Sequence, residues 1–142
     1  MKQALRTMQR QIGRPVSEAQ RSSLRPVLKA AKQNLDSLDA NVTGELKKSL
    51  TIKKDAKAPK TKPTYKVGPR SDSPAVRYAH LVEFGTDPHN LPNGGKHPGT
   101  SPKPFLTMAF ETEGKTVIKK FGEEIGKAVE KQAVRLARKA AK

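Results

Sequence analysis

The chain has no cysteine and no tryptophan, only 4% aromatic residues, and 13 acidic side chains against 29 basic ones in 142 residues. Without cysteine there are no disulfides, zinc ribbons, redox pairs or thiolate nucleophiles. Hydrophobic residues make up 34%, and a chain of this length buries roughly 68 to 70% of its extended surface on folding. The core is therefore modest, and part of the chain is expected to order only on assembly. No run approaches the ~20 apolar residues that span a bilayer. The opening MKQALRTMQRQIGRP lacks the apolar centre of a secretory leader. The expectation is one soluble domain over 1–142, made in the cytoplasm and without a membrane partner.

Charge is present in excess and unevenly placed. The net charge is +16, enough to attract polyanions over a Debye length of about 8 Å. Residues 1–35 carry +7, 36–46 carry −3, 47–70 carry +8, 71–114 carry −2 and 115–142 carry +6. The stretch from Tyr78 to Glu111 lies in the block that is not basic. It holds three of the four phenylalanines and is stiffened by Pro88, Pro92, Pro98, Pro102 and Pro104.

Periodicity organises the rest. Ala4, Leu5, Met8 and Ile12 keep helical spacing, with Gly13 and Pro15 as stops, and residues 1–16 read as a basic N-terminal extension. Ser17 with Gln20 matches a capping box. Leu24, Val27, Leu28, Ala31, Leu35 and Leu38 form an amphipathic stripe, ordered from about Arg25 to Leu38. Pro26 means that this helix is kinked there or starts close by. Asn41 to Leu50 turns at Thr43 and Gly44 and passes from a helical turn into a strand, with Leu46, Leu50 and Ile52 inward. Residues 53–63 read as a flexible loop or hairpin arm, since they are rich in lysine, lack large apolar residues and contain Pro59. Strands over Leu50–Lys53 and Thr64–Val67 then close a hairpin.

Ala75, Tyr78, Ala79 and Val82 suit a short helix that Gly85 terminates. Residues 86–102, with Asn93, Gly94 and Gly95 at their centre, read as a turn between two extended arms or a wide loop, a length without core residues that suggests binding. Pro104 is placed as a first helical residue. Gly114 is expected to mark a bend. Beyond it Val117, Ile118, Phe121, Ile125, Ala128, Val129, Leu136 and Ala140 make an apolar stripe to about Lys139, with Gly122 and Gly126 open to close backbone approach. The fold class is α+β: a small antiparallel sheet with a β-hairpin, packed against an N-terminal helix and a long C-terminal helix.

Catalytic pattern is hard to find. His80, His89 and His97 stand nine and eight apart, which is neither the one-turn spacing of a helical metal pair nor a finger pattern. They read as one helix-face histidine and two loop histidines. No cofactor motif occurs, and Gly94-Gly95 lacks the frame of a phosphate loop. Glu83, between Val82 and Phe84, is either a carboxylate with a partner (an amide at a helix start, or an arginine across an interface) or a solvated helix-end residue. The basic blocks favour non-specific phosphate contact, with Lys53, Lys54, Lys57, Lys60 and Lys62 as the DNA-facing candidates, yet no recognition helix or aromatic platform accompanies them. The bland reading of such a run is a solvated face.

Three segments occur in an order that resembles a known family. Val42-Thr43-Gly44-Glu45-Leu46 with Ser49-Leu50, then Tyr78-Ala79-His80-Leu81-Val82-Glu83-Phe84-Gly85-Thr86, then Pro102-Lys103-Pro104-Phe105-Leu106 with Ala109 and Phe110 are similar to the tail-component family typified by gp10 of phage HK97. Met108 departs from the proline common in the last motif, and the N-terminal extension to Gly13 has no counterpart in these motifs. The resemblance implies a non-enzymatic virion protein of a long-tailed phage or prophage, in the host cytoplasm before assembly. Such a neck or tail-completion component forms a ring, commonly six-fold, between a head connector or stopper and the tail terminator or tube. Tyr78, His80, Glu83, Phe84, Gly85, Thr86, Pro92, Pro98, Pro104 and Phe105 are then expected at subunit contacts, with Phe84 and Phe105 anchoring the arm. The alternative is a basic DNA-binding accessory protein acting in packaging or DNA retention.

Overall fold

Two prolines and two serines shape the first helical unit. Residues 15–23 form helix α1, Leu24 is a turn residue, and α2 runs Arg25–Ser37 with proline in its first turn. Pro26 lacks only an N–H that a helix start leaves unpaired. The Ser22 and Ser23 hydroxyls meanwhile donate to the carbonyls of Ala19 and Gln20. Pro26 thus marks a restart of the helix. Ser17 lies inside α1, so it is not the cap that its spacing with Gln20 suggested, and Gly13 is helical where a stop was expected. The structure is a computed structural model that describes residues 13, 15–40, 43–59 and 63–140. The helix expected over residues 2–12, Val42, Lys60 and Lys62 lie outside the described residues.

Val27, Ala31 and Leu35 recur every four residues on α2 and are fully buried. They pack chiefly against the long α5, Phe105–Ala140, which at 1.5 Å per residue is about 54 Å long. α2 closes through Leu38 N–H to the Asn34 carbonyl and Ala40 N–H to the Leu35 carbonyl. A left-handed Gly44 (φ 71) then launches α3, Glu45–Ser49, which hands over to strand β1, Leu50–Lys54. Leu46 and Leu50 point inward as expected.

β1 pairs antiparallel with β2, Tyr65–Pro69, in the register Leu50↔Pro69, Ile52↔Val67 and Lys54↔Tyr65. The second strand runs past Val67, the end expected for it, and takes in Gly68 and Pro69. In a two-stranded sheet both strands are edges, so a terminal proline leaves no ladder bond unmade. β1 rests on α2, and α2 rests on α5. A 3-10 turn, Pro74–Arg77, is capped by the Ser73 hydroxyl accepting from Ala75 N–H and leads into α4, Ala79–Phe84. Ala75, Ala79, Phe105 and Ala109 complete the core with the α2 residues.

The C-terminal helix differs from its sequence pattern. It starts at Phe105, one residue after Pro104, and is continuous through Gly114, where a bend was expected. Val117 packs against the core, but Ile118 is 74% exposed and Val129 is also exposed. Among the described residues nothing outside the helix's own backbone lies within 4 Å of where a Cβ at Gly122 or Gly126 would stand, so none of them makes the close approach expected there. Among the described residues no helix is long and apolar enough to cross a membrane.

Candidate subunit interface

Glu83 is the polar centre of the region. At 5% exposure it is one of few buried polar residues, and it lies in the last turn of α4. One carboxylate oxygen accepts from the Leu106 N–H at 2.9 Å; the other accepts from the Thr107 N–H at 2.9 Å and the Thr107 hydroxyl at 2.7 Å. These are amides of the first turn of α5, which have no partner inside the helix. A negative charge also meets the positive end of the helix dipole there. Of the partners expected for Glu83, the structure supplies the amides at a helix start.

Further bonds fasten the same junction. Lys103 N–H donates to the Val82 carbonyl at 2.9 Å, its ammonium donates to the Asp39 carbonyl at 2.7 Å, and Asn34 Nδ2 donates to the Phe105 carbonyl at 3.0 Å. The chain then leaves α4 at Gly85 (φ 73), where a Cβ would fall on the Thr100 carbonyl oxygen and against Pro102. Only glycine combines that backbone angle with that approach.

From this junction the residues 86–102 project as a hairpin. Thr86 and Thr100 exchange both N–H···O bonds at 3.0 Å, and their hydroxyls lie 2.9 Å apart. Above that base β3, His89–Asn90, pairs with β4, Lys96–His97. The tip turns through Leu91 N–H to Gly95 O at 2.7 Å and Gly95 N–H to the Asn93 side chain at 3.2 Å. Of the two readings left open for this stretch, the structure takes the turn between extended arms.

The expected contact residues are sorted by this geometry. Phe84, 73% exposed, stands bare at the foot of the arm, with Leu81 one turn earlier on the same face of α4. His80 is exposed on α4, and Pro92 and Pro98 are exposed on the arm. Tyr78, Gly85, Thr86 and Pro104 are half-buried around the junction. Glu83 and Phe105 lie in the interior of the single chain, and Phe105 has no exposed surface there. Sequence reasoning missed Asn34, Gly99, Thr100, Lys103 and Thr107. Asn34, Thr100, Lys103 and Thr107 are joined to distant partners by the fold and not by any spacing, whereas Gly99 bonds the His97 ring two residues away.

The DNA-facing candidates fare variously. Lys54 and Lys57 are exposed on the hairpin, whereas Lys53 turns back so that its ammonium donates to the Pro69 carbonyl at 2.8 Å. Asp55 pairs with Lys66 at 2.7 Å, and this bond, with the Lys57 N–H second, holds its carboxyl below the usual aspartate range. Among the described residues no group of three or more histidine, aspartate or glutamate side chains is placed to hold a metal ion.

A buried carboxylate that staples two helices, with a clamped hairpin and bare apolar side chains beside it, marks a small α+β protein. The family model described as "Bacteriophage HK97-gp10, putative tail-component" matches residues 1–85, and the chain belongs to this phage tail-component family. The match ends at the glycine that launches the arm, and it begins at residue 1, so it takes in the N-terminal residues that the motifs left aside. No curated protein and no solved structure matches the chain.

Proposed function

We propose that the protein is a neck or tail-completion component of a tailed phage or prophage virion, forming a ring of identical subunits, six in number, between the head connector or stopper and the tail terminator or tube. The observation that carries this reading is Phe84, bare beside a hairpin whose base is fixed by paired Thr86 and Thr100. An arm already folded and stiffened by Pro88, Pro92 and Pro98 loses little entropy on docking. A closed ring is heterologous, so each subunit offers two different patches: the arm with Phe84, and the surface that receives them. The role is structural, with no cofactor.

The test uses the closeness of the arm's ends. Thr86 and Thr100 already face each other across an antiparallel pair, so replacing residues 87–99 by Asn-Gly leaves a two-residue hairpin that the junction accepts. Light scattering with negative-stain microscopy should find rings for the natural chain and folded monomers for the shortened one. An unaltered oligomer in the shortened chain overturns the proposal.

A second reading has its own observation. A cleft of about 410 Å³ between α2 and α5 is lined by Arg25, Lys29 and Lys120 with Gln33, Thr116 and Glu113. Together with exposed Lys54 and Lys57 it favours a DNA-contacting accessory in packaging or retention. That reading requires duplex binding whose affinity falls steeply with salt. Binding that is weak at low salt removes it.

A further inference from the structure

We infer that the arm and Phe84 are received, on a second copy of this chain, by the distal half of α5, along the stripe of Ile118, Gly122, Ile125 and Val129. The inference rests on the ring reading, which requires a receiving patch without naming it. Among the described residues the exposed large apolar side chains fall into two groups. Val76, Leu81, Phe84, Met108 and Phe110 come from the elements on either side of the arm, and Ile118, Val129 and Val134 stand further along α5. A heterologous contact needs two unlike patches on one subunit.

The stripe has helical order. Ile118, Gly122, Ile125 and Val129 follow one another at steps of four, three and four, so they share one side of the helix. Ile118 and Val129 are exposed and Ile125 is half-buried. Gly122 leaves a notch beside Ile118 that no described residue outside the helix's own backbone fills. An exposed aromatic such as Phe84 suits such a notch. Length fits as well: from Thr86 to Asn93 the arm reaches at most about 23 Å at roughly 3.3 Å per residue, and from Ile118 to Ala133 the helix extends about 22 Å at roughly 1.5 Å per residue.

Charge selects the occupant. With +16 on every copy, identical subunits repel unless their contact joins unlike blocks. Residues 71–114, which hold the arm, carry −2, and residues 115–142 carry +6. Exposed Asp87 opens the arm close to Phe84, and exposed Lys115 and Lys119 flank Ile118. Setting the arm against distal α5 brings these opposite charges together, whereas pairing α5 with α5 sets two basic blocks face to face. Each copy then keeps its own arm and its own stripe for two different neighbours.

The chain has no cysteine, so thiols placed at the two patches report the contact without background. Leu81→Cys, one turn from Phe84, and Ile118→Cys change exposed positions and should leave circular dichroism unchanged. With a short thiol–thiol cross-linker, each variant alone should stay a single chain on a denaturing gel. The two co-assembled should give a linked pair, and the double variant a ladder that stops at the ring number. Equal linking in either variant alone overturns the inference. So do rings, seen by negative stain, whose thiols stay unlinked; the ring then stands, and the α5 face serves another virion protein. Linked pairs that grow into open chains keep the contact and refute the ring, and chains that stay single at every concentration refute both. Ile118→Glu should weaken self-association at least tenfold by light scattering with the fold intact, and an unchanged oligomer overturns the inference.

Discussion

Removing the Glu83 carboxylate should be the most damaging single change at the arm's foundation. The side chain is 5% exposed and accepts three hydrogen bonds from Leu106 and Thr107. Losing a helix cap costs about 0.5–2 kcal/mol, and leaving donors without an acceptor costs about 1–3 kcal/mol where they are buried, as these are in part. These describe overlapping parts of one loss, so Glu83→Ala is expected to destabilise by about 3 kcal/mol. For a chain of 142 residues that lowers the melting temperature by about 12 °C, at about 4 °C per kcal/mol. Glu83→Gln keeps the shape and one acceptor but turns an NH2 toward an N–H, and should cost about half as much. Urea denaturation followed by circular dichroism measures both, with the slope against urea unchanged. Pairing Glu83→Ala with Thr107→Val in a double-mutant cycle should give a coupling of about 1 kcal/mol. A Glu83→Ala loss under about 0.5 kcal/mol, or a Glu83→Gln variant as stable as the natural chain, refutes the argument.

Three other substitutions probe separate links. Phe105→Ala opens a cavity beneath the junction and should cost about 3–5 kcal/mol in the same assay, whereas Phe84→Ala, on the surface, should stay within about 0.5 kcal/mol while weakening any self-association seen by light scattering. Gly85→Ala must strain a left-handed backbone and push back the Thr100 carbonyl, so it should unfold the arm base, visible as lost amide protection at Thr86 and Thr100 with the core helices intact. Asp55→Asn should loosen the β1–β2 hairpin at pH 6 but make no difference at pH 2. The folded carboxyl is held low chiefly by Lys66, so its contribution is present above the ordinary aspartate range and is lost as pH falls through the depressed folded value. Chemical shifts of the Lys54 and Tyr65 amides report it.

Much of the framework was legible because periodicity and backbone chemistry are local. The α2 stripe, the Gly44 turn into Leu50, the Gly85 stop and the proline-bounded hairpin all follow from residue type and spacing, and the family was named by motifs that largely fall inside the matched residues 1–85. Errors arose where a local rule has a non-local exception. Gly68 and Pro69 continue a strand because in a two-stranded sheet no third strand needs the N–H that proline lacks, and Gly114 is carried through by a helix that is held at both sides of it, by Ala109 and Val117.

For the candidate interface the division is sharper. Composition and order of residues determined that a proline-stiffened segment that is not basic stands between basic flanks, that it turns at Asn93–Gly95, and that chemistry based on thiols is absent. Only the tertiary structure decided which of its two central phenylalanines is foundation and which is surface, since Phe84 and Phe105 look alike in sequence but one is 73% exposed and the other fully buried. It also decided what Glu83 is for. A carboxylate's burial and partners depend on where the amides of a helix 23 residues further along come to lie, and that is settled by the packing of α2 and α4 on α5, which no spacing in the chain encodes.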